Sequence, residues 1–259
     1  MADPDTFMSE DQTKHYMRAG SRLSVLFGQH IPRELPTDGT LLDWRVYATA
    51  LLARAHYLLE STHALHKRTP DAAVLTRVLY EHIITFCWLC IAPDENIKKL
   101  MFWELCERRK GINDLKSIGQ YNEELTGIDD FAALLGPNFS APDPGLPALA
   151  READVHWSPR FESIWAPGKG GLRTLYPSLY RHFSAFTHPT VAGLYSFVSL
   201  HGSNTARIGR PQHTKASSLT LAPIVFAFGL LVAGEALGWP PREEVLAAFE
   251  HDEAEEVAT

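Results

Sequence analysis

Residues 71–92 read Asp-Ala-Ala-Val-Leu-Thr-Arg-Val-Leu-Tyr-Glu-His-Ile-Ile-Thr-Phe-Cys-Trp-Leu-Cys-Ile-Ala. Ahead of them, Thr69-Pro70-Asp71 is a helix start: a capping hydroxyl, a proline at the first helical position and an early acid. Val74, Leu75, Val78, Leu79, Ile83, Ile84, Phe86, Trp88, Leu89 and Ile91 then run round nearly the whole circumference of the helix. A helix with no polar face has nowhere to sit except the middle of a bundle. Its exception is Arg77, Glu81 and Thr85, each about one turn after the last. A charge carried into a bundle needs a partner, because leaving it unpaired costs several kcal/mol or neutralises it. Arg77 and Glu81 can satisfy each other, or both can face one cavity.

Outward from this centre the helical period continues. Thr40 is placed to cap a helix running to about Arg68, with Tyr47, Leu51, Ala55, Leu58, Thr62 and Leu65 on one stripe. The opposite stripe, His56, Glu60, His63 and Lys67, reads as a solvated face. Thr6–His30 forms a first helix, and Pro32, Pro36 and Gly39 break the chain after it. Downstream, Glu95–Lys116 is a charged amphipathic helix and Gln120–Leu135 a shorter helical piece. Gly136–Gly171 has four prolines within Pro137–Pro147 and is too long for a simple connection, which predicts a lid or a partly ordered insert. Leu172–His188 and Val191–His201 read as helices interrupted by Pro189, and Gly202–Thr214 as a basic loop. Ala216–Gly234 holds no charge, at the lower limit of a membrane span, but its Ser, Thr, Pro and Gly content favours a central bundle helix. Pro240–His251 reads as a last amphipathic helix. With no β-alternation and no internal repeat, the expected fold is all-α, a multi-helix bundle with a long irregular insert near 136–171. The expected organisation is an N-terminal helix and linker over 1–39, one bundle domain over 40–251, and an acidic disordered tail over 252–259.

The 259 residues carry a net charge of −7, concentrated at the ends. Asp3, Asp5, Glu10 and Asp11 stand without a base in residues 1–13, and Glu250, Asp252, Glu253, Glu255 and Glu256 without one in 250–259. Residues 160–215 run the other way, with Arg160, Lys169, Arg173, Arg181, Arg207, Arg210 and Lys215 against Glu162, a surplus of +6. Such a segment suits an anionic partner such as phosphate or RNA; the alternative is dispersed surface charge. No DNA-binding signature is present, and a membrane partner is not expected. Three cysteines make no disulfide framework, and no signal peptide opens the chain, so a cytoplasmic location is expected.

Polar chemistry concentrates in Tyr180-Arg181-His182-Phe183-Ser184-Ala185-Phe186-Thr187-His188-Pro189. Arg181 and His188 are seven residues apart, two helical turns, so they share a face with Ser184 between them. Pro189 disfavours helical geometry at His188 and sets its imidazole near a helix end. Arginine grips phosphate through two parallel hydrogen bonds, and histidine transfers protons near neutral pH. These two roles suffice for RNA cleavage without a metal or cofactor, since the ribose 2′-hydroxyl is the nucleophile. The alternative is structural: Arg181 pairs with an acid such as Glu81, and His188 caps a helix. Other motifs fall short. Glu60-Ser61-Thr62-His63 has di-iron spacing without its second copy. Cys87-Trp88-Leu89-Cys90 lies in an apolar helix where thiols act as small hydrophobes. Gly168–Gly171 lacks the rest of a phosphate loop.

Arg77-Val78-Leu79-Tyr80-Glu81, the aromatics through Trp88, Tyr180–Ser184 and His188-Pro189 resemble an uncharacterised family of bacterial all-helical proteins over roughly residues 40–235. The resemblance implies that Arg77, Glu81, Ser184 and His188 share one polar centre between helices. A more distant similarity is to the HEPN superfamily, helical bundles that include RNases of toxin and antiphage systems. Its motif, an arginine, often a polar residue, then a histidine, is similar to Arg181, His182 and His188 here. That similarity implies Arg181 and His188 as catalytic, His182 as the polar second position, and a homodimer that pairs two motifs in one site. Two functions are therefore expected: a metal-independent endoribonuclease, or a non-catalytic ligand-sensing or protein-interaction module. Arg77, Glu81, Ser184 and His182 would be binding residues in a site for RNA or a small anionic ligand, and neither reading needs a cofactor or metal.

Overall fold

The computed structural model describes residues 10–35, 43–66, 69–119, 135–136, 138–161, 171–184, 198–201, 205–208 and 217–250. They form an all-α bundle: α1 (Glu10–His30), α2 (Trp44–Ala64), α3 (Thr69–Leu89), α4 (Pro93–Ser117), α5 (Gly145–Trp157) with a 3-10 turn Ser158–Phe161, α6 (Leu172–Leu175) running into a π-helical turn Tyr176–His182, α7 (Ser217–Leu237) and α8 (Arg242–Ala247). A short antiparallel hairpin, β1 (Val198–His201) and β2 (Thr205–Ile208), pairs Val198 with Ile208 and His201 with Thr205.

α3 is the axis. It packs most extensively against α2 and α7, and also against α5 and the π turn. Leu79, Tyr80, Ile83, Ile84, Phe86, Cys87 and Leu89 lose all contact with solvent. α7 supplies the matching wall through Val225, Phe226, Phe228, Leu230 and Leu231. Burying a side chain of this size contributes about 1.5–3 kcal/mol, so the faces that α2 and α7 lay on α3 carry much of the core. α1 lays Leu23, Leu26 and Phe27 into the same core and packs on α7 and α2. Pro70–Leu89 and Leu219–Leu237 are each long and apolar enough to cross a membrane, and most of each is buried within the bundle.

Tryptophans close the far end. Trp157 donates to Cys87 O at 2.8 Å and Trp88 donates to Glu152 Oε2 at 2.8 Å, which ties α5 to the C-terminal end of α3. Trp88 stacks on Trp103 of α4 at 5.2 Å, and the buried Asn96 amide caps Trp88 O at 2.8 Å.

Several expectations change. α2 is capped by Asp43, whose carboxylate accepts Arg45 N at 3.0 Å, while Thr40 lies outside the described residues. Within the insert 136–171 stands the 13-residue helix α5, whose Leu149, Ala150, Ala153 and Trp157 form a buried stripe. The expected helix to His201 gives way to β1, and part of the expected basic loop to β2. Val198, Thr205 and Ile208 favour strand, and the intervening Gly202-Ser203-Asn204 is turn chemistry. The expected Gln120–Leu135 helix and the tail 252–259 fall outside the described residues, except Leu135. Gly119 (φ +71°) and Gly238 (φ +80°) end α4 and α7 in the left-handed conformation that glycine adopts without steric cost.

The packing predicts opposite outcomes for two helix glycines. A Cβ on Gly234 of α7 would stand 2.8 Å from the Pro240 carbonyl oxygen, whereas one on Gly111 of α4 meets nothing within 4 Å. Gly234→Ala should lose about 1–3 kcal/mol, and Gly111→Ala should gain about 0.5–1 kcal/mol. Urea unfolding of both variants checks this; equal shifts would contradict the α7–Pro240 contact.

Candidate functional site

The polar stripe of α3 faces the π turn. Arg77 Nη2 meets Glu81 Oε1 at 3.0 Å, and the Arg77 guanidinium lies 4.6 Å from the centroid of the Tyr180 ring. Thr85 returns its hydroxyl to Glu81 O at 2.9 Å. Tyr180 in turn stacks on Tyr176 at 4.9 Å with 13° between the planes. The result is a pile of Glu81, guanidinium and two phenol rings along the seam between α3 and Tyr176–His182. Arg77 and Glu81 are only partly covered, with side-chain exposures of 17% and 32%.

A relay of anchors positions this seam. Asp154 of α5 accepts Ser158 Oγ at 2.8 Å and Arg173 N at 3.0 Å, which caps the start of α6. Gly171 lies so close to Asp154 and Ser158 that any side chain there would collide with both. Leu172 is buried, and its carbonyl accepts the Tyr80 hydroxyl at 2.6 Å. Burial pushes the Tyr80 pKa far up, with the Asp154 charge adding to it, so Tyr80 remains a neutral donor. The chain then enters the π turn, which carries Pro177 in its first turn and sets Tyr180 beneath Arg77. π-helical turns are rare and recur at functional sites.

Of the residues singled out in the sequence, Arg77 and Glu81 are brought together as a pair, and Tyr180 joins them. Ser184 lies one turn beyond, its hydroxyl donating to Tyr180 O. Arg181 and His182 are placed by their backbone in the π turn; their side chains, and His188 entirely, lie outside the described residues. Tyr176 and Tyr180 were not among the expected binding residues. Their four-residue spacing next to Arg181 was the available signal.

The stripe His56, Glu60, His63 and Lys67 is only in part the solvated face the sequence suggested: Glu60 is exposed, the two histidines are largely covered, and Lys67 lies outside the described residues. His56 and His63 pack under α1, because α1 turns its small residues Gly20 and Ser24 toward them. Ser24 Oγ lies 2.6 Å from His56 Nε2 and donates to Glu60 Oε1 at 3.0 Å. Serine and carboxylate thus meet the same ring nitrogen, so this is not a catalytic triad, in which they bond opposite nitrogens. Cys87 and Cys90 are buried, and burial pushes both thiol pKa values well up, so neither provides a thiolate. Among the described residues no three His, Cys, Asp or Glu side chains converge where a metal ion could bind.

The guanidinium–phenol contact should outweigh the ion pair, since Glu81 is partly solvated and screened. A double-mutant cycle on Arg77→Ala and Tyr180→Leu should return a coupling of about 1 kcal/mol. The Arg77/Glu81 cycle should return roughly 0.5 kcal/mol or less, and lose it in high salt. The reverse ranking would show the ion pair to be the stronger tie.

No curated protein and no solved structure matches this chain. The sequence profile described as "Family of unknown function (DUF5677)" matches residues 45–205, a span that includes the Arg77/Glu81 stripe and the π turn. The chain belongs to this family.

Proposed function

We propose that the seam between α3 and Tyr176–His182 binds RNA phosphate, and that the protein is a HEPN-like, metal-independent endoribonuclease. The observation that carries this reading is the π turn, an uncommon backbone form that places residues 181 and 182 directly after the ring beneath Arg77. Arg181 would hold the scissile phosphate, and His188 would move the proton between the 2′-hydroxyl and the leaving oxygen. The basic surplus of residues 160–215 would draw the polyanion to this side of the molecule. Arg77, held over the Tyr180 ring and paired with Glu81, would keep the seam's geometry rather than contact the reacting atoms.

A second reading has its own support. Arg77 pairs with Glu81 and lies against the Tyr180 ring, and Ser184 bonds the Tyr180 backbone. Such an arrangement suits a non-catalytic module that senses a small anionic ligand by opening the pair.

The purified protein should cleave end-labelled single-stranded RNA in the presence of a chelator. Arg181→Ala and His188→Ala should each lower the rate by about 100-fold or more while the helical circular dichroism stays unchanged. Cleavage that persists in both variants, or that stops with chelation, would sink the nuclease reading. No cleavage by the unsubstituted chain, together with a nucleotide-induced thermal shift that Arg77→Ala abolishes, would select the sensor.

A further inference from the structure

α1 rests on two histidines of α2 that are two turns apart, and the two are provided for unequally. His56 has Ser24 Oγ at 2.6 Å and Glu60 Oε1 at 3.5 Å from its Nε2, and its ring stacks on Phe27 at 4.7 Å. The charge of a protonated ring would be met at Nε2 by a hydroxyl oxygen and a carboxylate. His63 is pressed against the α1 backbone itself. A Cβ at Gly20 would stand 2.2 Å from His63 Cε1 and 2.6 Å from Nε2, with Pro223 Cγ of α7 at 3.0 Å. His63 Nε2 is sealed from solvent with no hydrogen-bond partner among the described residues. As a bare lone pair this nitrogen is tolerable there; as an N–H of an imidazolium it is a buried charge aimed at methylenes.

We propose that the seam joining α1 to α2 and α7 is an acid-sensitive clamp, in which protonation of His63 releases α1. Among the described residues the titratable groups acting on the ring are Glu60 of α2 and His66 just beyond its C-terminal end. α1 brings Gly20 and Ser24 to the seam and α7 brings Pro223 and Phe226, so neither facing helix answers the new charge. Glu60 already accepts the Ser24 hydroxyl and stands nearest His56.

Burial depresses the His63 pKa; Glu60 pulls it partly back and His66 adds to the depression. Burial depresses His56 as well, against the opposing pull of Glu60 and Ser24. With the docked pKa below the ordinary 6.5, the released state binds the extra proton first. Docking of α1 is therefore at full strength above the ordinary value and weakens as pH falls through it toward the docked value. Release would uncover Phe27 and the Phe226 face it covers, now 5.8 Å apart ring to ring.

Hydrogen–deuterium exchange of the full chain tests this, at about pH 7.5 and about pH 5.5, corrected for intrinsic exchange. Amides of α1 should lose protection several-fold at the lower pH while those of α3 keep theirs. His63→Leu and His63→Gln should each remove most of the response, and His56→Gln a smaller part. In the unsubstituted chain, the NMR titration midpoint of His63 should lie below the ordinary value. Protection of α1 that ignores pH, an equal loss in α3, a response undiminished in both His63 variants, or a His63 midpoint at or above the ordinary value would each overturn the clamp.

Discussion

Almost no face of α3 can meet water, and the arrangement of the bundle follows from that. A helix carrying Leu79, Ile83, Ile84 and Phe86 on different sides has to be enclosed, and α2, α7 and α5 enclose it. The enclosing helices need only one apolar stripe each, which leaves their outer faces free to be polar. α7 is the exception, because α1 and α2 cover parts of it in turn and it carries no charge before Glu235 near its end. The hydrophobic demand of one element thus passes outward through two shells of helices before it ends at solvent.

The polar stripe on α3 survives inside this arrangement because its charges meet each other and it lies at a seam that is only partly covered. Arg77 turns to Glu81 along its own helix and to an aromatic face across the seam. That second contact requires Tyr180 at a fixed height, and the height is set remotely through Tyr80, Leu172 and Asp154. A change at Asp154 therefore reaches Arg77 without touching it. The same dependence makes the seam a suitable place for chemistry, since its side chains are held from both sides.

Much of this was legible in the residues. The apolar circumference of 71–92 announced a central helix, and four-residue spacing announced the Arg77–Glu81 pair. Both readings rest on local periodicity, which a single helix carries whole. What escaped depended on a second element. The His56/Glu60/His63 stripe looked like a wet face until Gly20 and Ser24 of α1 met it, and nothing on α2 encodes that partner. α5 was hidden for a different reason: Pro144 and Pro147 suggested irregular chain, although they sit at its start, where proline is tolerated. The hairpin carries one β-branched residue in Val198–His201, too weak a pattern to outvote the neighbouring helical reading. The π turn has no sequence period of its own, and Arg181 could be placed only as though its helix were regular.

The enclosure of α3 also has a history in time. α2 precedes it in the chain, but α7, the wall that covers its other side, is complete only at residue 237, 148 residues after α3 ends at 89. At the roughly 5–20 residues per second of synthesis, the most apolar face of the nascent protein waits about 7–30 s for its cover. During that interval α3 is a sticky, half-wrapped helix on the ribosome. The chain is therefore one whose yield in the cell depends on what shields a single helix before its last partner is made.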